Sequence, residues 1–192
     1  MATLHPNFIV GIGGSAGSLN SFMAFFDALP LNTGMAFVVI SHIYPTANSQ
    51  LAQILSRHTK MTVQVVMQTT PIIANHVYVI PPNADLQTDG YSLFVTSPAS
   101  RNKQIDIFLT SLAKTRGERA VAIILSGYDG DGTKGCEAIK AGGGTTFAEE
   151  DAEVASMPIT AQASGWIDLV LPVHKIPAAL QRVMNDSKDN EG

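Results

Sequence analysis

Val10-Gly-Ile-Gly-Gly-Ser-Ala-Gly-Ser18 follows the apolar pair Phe8-Ile9 and has two readings. Gly11, Gly13 and Ala16 fit G-x-G-x-x-[G/A], the strand-to-helix loop that cradles a dinucleotide pyrophosphate. Gly13, Ser15 and Gly17 fit G-x-S-x-G, the sharp elbow that presents a serine nucleophile. Both place the stretch at the carboxyl end of a first strand in an α/β sheet, so the fold follows from either. The function depends on what stands at the other strand ends.

Working outward, short apolar runs alternate with amphipathic ones. Phe8–Ile12 reads as a buried strand. From Leu19, apolar residues recur at Phe22, Met23, Phe26 and Leu29, a helical spacing that Pro30 closes. Strands are expected at 35–40, 61–67, 120–125, 145–148 and 166–171. Helices are expected at 49–58, 105–116, 134–141, 157–163 and 176–184, with Gly117 a C-cap. Two β-rich runs at 76–80 and 92–96 are separated by turn signals, Pro81-Pro82-Asn83 and Asp89-Gly90. They suggest a small antiparallel excursion near residues 76–96. Helix alternating with strand predicts a doubly wound, mostly parallel α/β sheet flanked by helices. The expected division is a tail at 1–7, one catalytic domain at 8–184 and a polar tail at 185–192.

Composition narrows the function. The chain has 192 residues, 45% hydrophobic and 15% charged, with a formal net charge of −4 and no basic run. That balance is globular and argues against nucleic acid or anionic membrane as a partner. No segment is long and apolar enough for membrane insertion, and the N-terminus lacks a signal-peptide pattern. The single cysteine, Cys136, cannot form an internal disulfide, and no Cys/His pair has zinc-ligand spacing. The cytoplasm is the default compartment, and neither metal nor cofactor is expected.

Three strand ends carry reactive side chains. Ser15 follows the first strand, His42 the second, and Ser126-Gly-Tyr-Asp-Gly-Asp131-Gly the strongly apolar central one. Nucleophile, base and orienting carboxylate would then share one rim of the sheet, where sites of open α/β sheets form. Serine attacks only if a base takes its proton. Histidine, with an unperturbed pKa of about 6.5, takes and returns it, and an aspartate fixes the imidazole tautomer. A dinucleotide site needs an acid at the end of strand two, where this chain has Ser41-His42-Ile43. The order Ser…His…Asp also differs from the Ser…Asp/Glu…His order of α/β-hydrolases. Taken singly, each residue has a structural alternative: helix cap for Ser15, surface residue for His42, turn former for Asp129 and Asp131. His58, His76 and His174 read as structural, and Cys136 as a packed small residue.

These residues together resemble the catalytic domain of bacterial chemotaxis protein-glutamate methylesterases, the CheB type. The resemblance runs from about Phe8 to Met184. Its markers are the 10–17 loop, Ser41-His42 with Pro45, Asn75–Asn83, Ile105-Asp106, Ile124–Gly127 with Asp131-Gly132, Ala141–Gly143 and Ser156-Met157-Pro158. It implies a serine hydrolase that demethylates γ-glutamyl methyl esters on the cytoplasmic domain of chemoreceptors, releasing methanol, with deamidation of receptor glutamines as a related activity. Ser15 would be the nucleophile, His42 the base and Asp131 the orienting acid. Ala16, Tyr128 and Met157 complete the expected oxyanion and pocket set, with the Tyr128 backbone amide the implied oxyanion donor. The family commonly has alanine where Gly14 sits, threonine at Ala16, glycine at Ser18, glutamine at Ser41 and glycine at Asp129. Its members usually carry an N-terminal receiver, which the seven residues before the first strand do not provide. A separately regulated enzyme is therefore the expectation, with a receptor methyltransferase or a receiver protein in trans as partners. Two competing readings are a catalytically silent protein-binding module of the same fold and a Rossmann-like nucleotide-binding protein.

Overall fold

The computed structural model describes residues 5–42 and 48–189; Pro45, one of the sequence markers, lies outside them. The chain runs β1 (Ile9–Gly14), α1 (Ser18–Ala28), β2 (Ala36–Ser41), α2 (Asn48–Leu55), β3 (Thr62–Val65), β4 (Thr70–Pro71), β5 (His76–Val79), β6 (Asp85–Thr88), β7 (Ser92–Thr96), α3 (Gln104–Arg116), β8 (Ala120–Ile124), α4 (Thr133–Ala141), β9 (Thr145–Glu149), α5 (Ser156–Ala163), β10 (Leu169–Leu171) and α6 (Ile176–Asp189). Seven strands form a parallel sheet in the order β10-β9-β8-β1-β2-β5-β3, and β4-β7-β6 form a small antiparallel one. This is the doubly wound architecture expected from the alternating pattern.

The sheet is sandwiched between two apolar layers, as the near-continuous hydrophobic strands require. Phe22, Phe25 and Phe26 of α1, Leu51 and Leu55 of α2, and Ile176, Leu180 and Met184 of α6 cover one face. Ile105, Phe108, Leu109 and Leu112 of α3, with Cys136 and Ile139 of α4 and Met157 and Ala161 of α5, cover the other. The glycines of the opening motif belong to this packing. A Cβ on Gly11 would lie 2.6 Å from Leu109 Cδ2, and one on Gly13 would lie 2.7 Å from Ile105 Cγ2. Both are therefore bare so that α3 can lie close on β1. α1 ends where Pro30 dictates: Leu29, before the proline, is extended with φ −85° and ψ 127°.

Three sequence expectations are corrected. His76–Val79 is not part of the antiparallel excursion; it lies between β2 and β3 in the main sheet, its Val77, Tyr78 and Val79 buried. A run this apolar suits a strand covered on both faces. The last parallel strand begins at Leu169 rather than Trp166, because the Asp168 side chain turns back to accept the Thr146 N–H at 2.9 Å. The C-terminal helix runs on to Asp189, with no glycine or proline between Met184 and Asp189 to stop it, so residues 185–189 are helix rather than tail.

Candidate active site

β1, β2 and β8 are neighbours at the centre of the sheet, and their carboxyl ends bring the three sequence-predicted residues to one rim. Ser15 lies just beyond β1. Its N–H donates to Ser126 O at 2.9 Å, which ties the elbow to the loop after β8. Gly17 adopts φ +76°, the left-handed turn that lets α1 begin immediately. The Ser15 side chain is partly exposed, and its hydroxyl makes no hydrogen bond to a described residue. His42 follows β2, with its N–H on Gly14 O at 3.3 Å.

The strongest polar contact of the site joins His42 to Asp131. Nε2 lies 2.6 Å from Asp131 Oδ2, with side-chain exposures of 7% and 0%. A carboxylate only accepts, so Nε2 carries the proton and Nδ1 is left bare. Nδ1 is buried and has no hydrogen-bond partner among the described residues. In the serine-protease arrangement the carboxylate takes Nδ1–H and Nε2 serves the serine. Here the ring is held the other way round, by Nε2, and no hydrogen bond joins its Nδ1 to the Ser15 hydroxyl.

Asp131 is held from every side. Oδ2 also accepts the Ile105 N–H at 3.0 Å, and Oδ1 accepts those of Asp106 and Gly132 at 2.9 Å. The first turn of α3 thus supplies amide donors to the carboxylate, where the helix dipole also favours negative charge. Asp129 has φ +65°, a conformation open to glycine, asparagine and aspartate, which accounts for both residue types at this position. Its Oδ1 accepts the Asp131 N–H at 2.9 Å, so this carboxylate shapes the turn instead of facing His42.

The expected oxyanion and pocket residues divide. The N–H groups of Ala16 and Tyr128 are not taken up by any described residue, whereas that of Gly127 is spent on Val154 O. Tyr128 itself is 62% exposed. Met157 is buried beside Ser15: a Cβ on Gly127 would lie 2.8 Å from Met157 Cε and 2.9 Å from Ser15 Cβ. Among the expected structural residues, Cys136 is packed in the core with its thiol pushed up by burial. The His58 ring pairs with Asp27 of α1 at 2.9 Å, while its N–H donates to Leu55 O at the end of α2.

Sequence reading missed two buried carboxylates. Glu149, ending β9, accepts the Ser21 hydroxyl and the Ser126 N–H, both at 2.8 Å, and so fixes the segment that holds Ser15. A charged residue closing the apolar run Phe147-Ala148 was the available signal. Asp106, noted only as a marker, accepts the N–H groups of Gly132 and Gly135 at 2.9 Å. Burial raises the pKa of both.

For Glu149 this has a measurable sign. A carboxyl raised above its unfolded value contributes stability that is present below about pH 4.3 and is lost as pH rises through the folded value. Glu149→Gln removes that titration. Urea unfolding across pH 4–7 is expected to show the variant gaining on wild type as pH rises; parallel curves would contradict it.

Gly14 and Ser18 explain each other. A Cβ on Gly14 would lie 2.7 Å from Ser18 Cβ and 2.9 Å from Phe22 Cζ. Alanine at 14 therefore needs glycine at 18, the pair seen in the family resemblance, while here Ser18 uses the room to hydrogen-bond Ser15 O. Gly14→Ala is expected to cost about 1–3 kcal/mol. Adding Ser18→Gly should recover at least about 1 kcal/mol in a double-mutant cycle of urea melts. Simple additivity would refute the coupling.

Comparison with known proteins identifies the family and the fold. The family model described as CheB methylesterase matches residues 10–180. The crystal structure of the Thermotoga maritima CheB methylesterase catalytic domain superposes with a TM-score of 0.87 at 30% identity, covering 92% of this chain and 98% of that one. The T. maritima protein named protein-glutamate methylesterase/protein-glutamine glutaminase is 31% identical over 181 residues, 90% of this chain and 53% of its own length. An uncharacterized 104.1 kDa protein of Rhodobacter capsulatus is 39% identical over 130 residues, 66% of this chain and 14% of its length. The chain thus spans about half, or less, of these two curated relatives.

Proposed function

Because the chain belongs to the CheB methylesterase family, we propose that it is a serine hydrolase that cleaves γ-glutamyl methyl esters on chemoreceptor cytoplasmic domains. The observation that carries this is the 2.6 Å contact between His42 Nε2 and Asp131 Oδ2, which leaves Nδ1 bare at the rim shared with Ser15.

Ser15 Oγ attacks the ester carbonyl while His42 Nδ1 takes its proton, and Asp131 supports the imidazolium. The oxyanion forms against the free N–H groups of Ala16 and Tyr128. As the tetrahedral intermediate collapses, the carbonyl-carbon–methoxy bond breaks. His42 returns its proton to the departing oxygen, releasing methanol. Water then attacks the glutamyl-Ser15 ester with His42 as base, yielding the glutamate side chain and free Ser15. A glutamine side chain presents the same carbonyl with ammonia as leaving group, so deamidation can use the same groups. Neither step calls for a metal. Met157 faces the small leaving group. The substrate places the enzyme in the cytoplasm; no helix among the described residues is long and apolar enough to cross a membrane.

Mass spectrometry of receptor peptides tests this. Each methylated glutamate is expected to lose one methylene's mass after incubation with the purified chain; unchanged peptides would retire the reading. The Rossmann-like competitor has a separate test. A nucleotide that binds must raise the melting temperature, and no rise is expected with NAD or ATP.

A further inference from the structure

Within the loop that carries Asp131, Asp129 Oδ1 accepts the Asp131 N–H and Gly130 O accepts that of Thr133, which leaves the start of α4 without a carboxylate from its own segment. Gly127, Gly130 and Gly132 leave its backbone free, and Gly132 adopts φ +94°. α4, which follows, has Gly132 as N-cap, no side-chain cap and no acid in its first turn. α3 likewise has Lys103 as N-cap and no side-chain cap from its own N-cap residue. Each helix instead takes its carboxylate from the other chain segment. Asp131 accepts the Ile105 and Asp106 N–H groups at the start of α3, and Asp106 accepts the Gly132 and Gly135 N–H groups at the start of α4. The exchange joins residues 25 to 29 positions apart in sequence.

We propose that Asp106 is a positioning residue that sets Asp131 against His42. Its carboxylate contacts the Asp131 loop on both sides of Thr133-Lys134 and bonds neither Ser15 nor His42. One of its oxygens does this. Oδ1 accepts both amide N–H groups, whereas Oδ2 is buried without a hydrogen-bond partner among the described residues, with Lys103 Nζ 3.6 Å away. The role therefore needs an acceptor at Oδ1 and no negative charge. Asparagine supplies that acceptor and alanine does not. This rests on Asp131 supporting His42 in the proposed hydrolysis, but the positioning itself is readable without turnover.

The readout is the proton on His42 Nε2. In a short hydrogen bond to a carboxylate it gives a far-downfield proton resonance, assignable with ¹⁵N-histidine labelling and a His42→Gln control. Asp106→Asn is expected to keep that resonance in place and to keep kcat for methanol release within about threefold of wild type. Asp106→Ala is expected to lose or shift the resonance and to lower kcat at least about tenfold with KM little changed, as for a group that acts on the chemical step alone. A folded Asp106→Ala protein with the wild-type resonance would overturn the proposal. So would Asp106→Asn losing the resonance, which decides the matter if the alanine variant does not fold. If wild type itself releases no methanol, the hydrolase reading fails while the resonances still decide the role of Asp106.

Discussion

Ser15→Ala is expected to remove methanol release to below about one ten-thousandth of the wild-type rate while leaving the protein folded. The two halves of this expectation have separate causes. The elbow is held through backbone atoms: Ser15 N–H donates to Ser126 O at 2.9 Å, and Ser15 O accepts from Ser18 N–H at 3.1 Å. The Ser15 hydroxyl is in neither bond and has no other described partner. Removing it forfeits no hydrogen bond within the described structure and leaves no large cavity at a partly exposed position. The melting temperature should stay within about 2 °C of wild type, which corresponds to less than about 1 kcal/mol for a chain of this size. Turnover, by contrast, loses the only atom proposed to form the covalent intermediate. Wild-type turnover in Ser15→Ala would reject the mechanism, and a large fall in melting temperature would reject the account of the elbow.

Asp131 separates in the opposite way, because its carboxylate does two jobs. Asp131→Ala strips the acceptor from the buried Ile105 and Asp106 N–H groups as well as from His42. A buried donor left unmatched costs about 1–3 kcal/mol, and loss of a helix cap about 0.5–2 kcal/mol. A fall in melting temperature of several degrees is therefore expected beside the loss of activity. Asp131→Asn keeps one acceptor oxygen and should recover much of the stability. It does not recover the chemistry. With its oxygen in the Oδ1 place, serving the Asp106 and Gly132 N–H groups, its NH2 group takes the Oδ2 place against the Ile105 N–H and His42 Nε2, and the ring must present a lone pair there. The proton then moves to Nδ1, the atom proposed to receive the proton from Ser15. A loss in kcat of about 10⁴-fold is the expected size for such a tautomer error. Thermal melts and initial rates on both variants check this. If Asp131→Asn were as unstable as Asp131→Ala yet active, the assignment of its two roles would be wrong.

Much of this site was legible in the sequence because strand ends are legible. Ser15, His42 and Asp131 each follow a short apolar run, and a doubly wound sheet sends such residues to one rim. The rejection of a dinucleotide site rested on one position, His42 where an acid was needed, and that did not require coordinates. What was not legible depends on contacts distant in sequence. Gly11 and Gly13 fit two loop motifs, yet their bareness is set by Leu109 and Ile105, nearly a hundred residues away. The Gly14–Ser18 exchange looked like two unrelated departures until the notional Cβ contact joined them. His76–Val79 looked like hairpin material beside its Pro-Pro turn, and only the burial of Val77 and Val79 on one face of the sheet and Tyr78 on the other explains its place between β2 and β3. Asp129 stands where the family has glycine, and its positive φ shows why both residues suit the turn. Glu149 and Asp106 escaped notice as site residues because a carboxylate in sequence is presumed solvated; the local mark of Glu149 was its place closing the run Phe147-Ala148, and Asp106 was noted only as a marker of the resemblance.

The central claim is that this chain hydrolyses receptor methyl esters, and the most direct measurement is volatile radioactivity released from receptors carrying tritiated methyl groups. Purified wild-type chain is expected to release labelled methanol at a rate linear in enzyme concentration. Ser15→Ala, equally folded, is expected to match receptor alone. Release by the folded wild-type chain no faster than by receptor alone would contradict the claim and leave a silent binding module on the same fold.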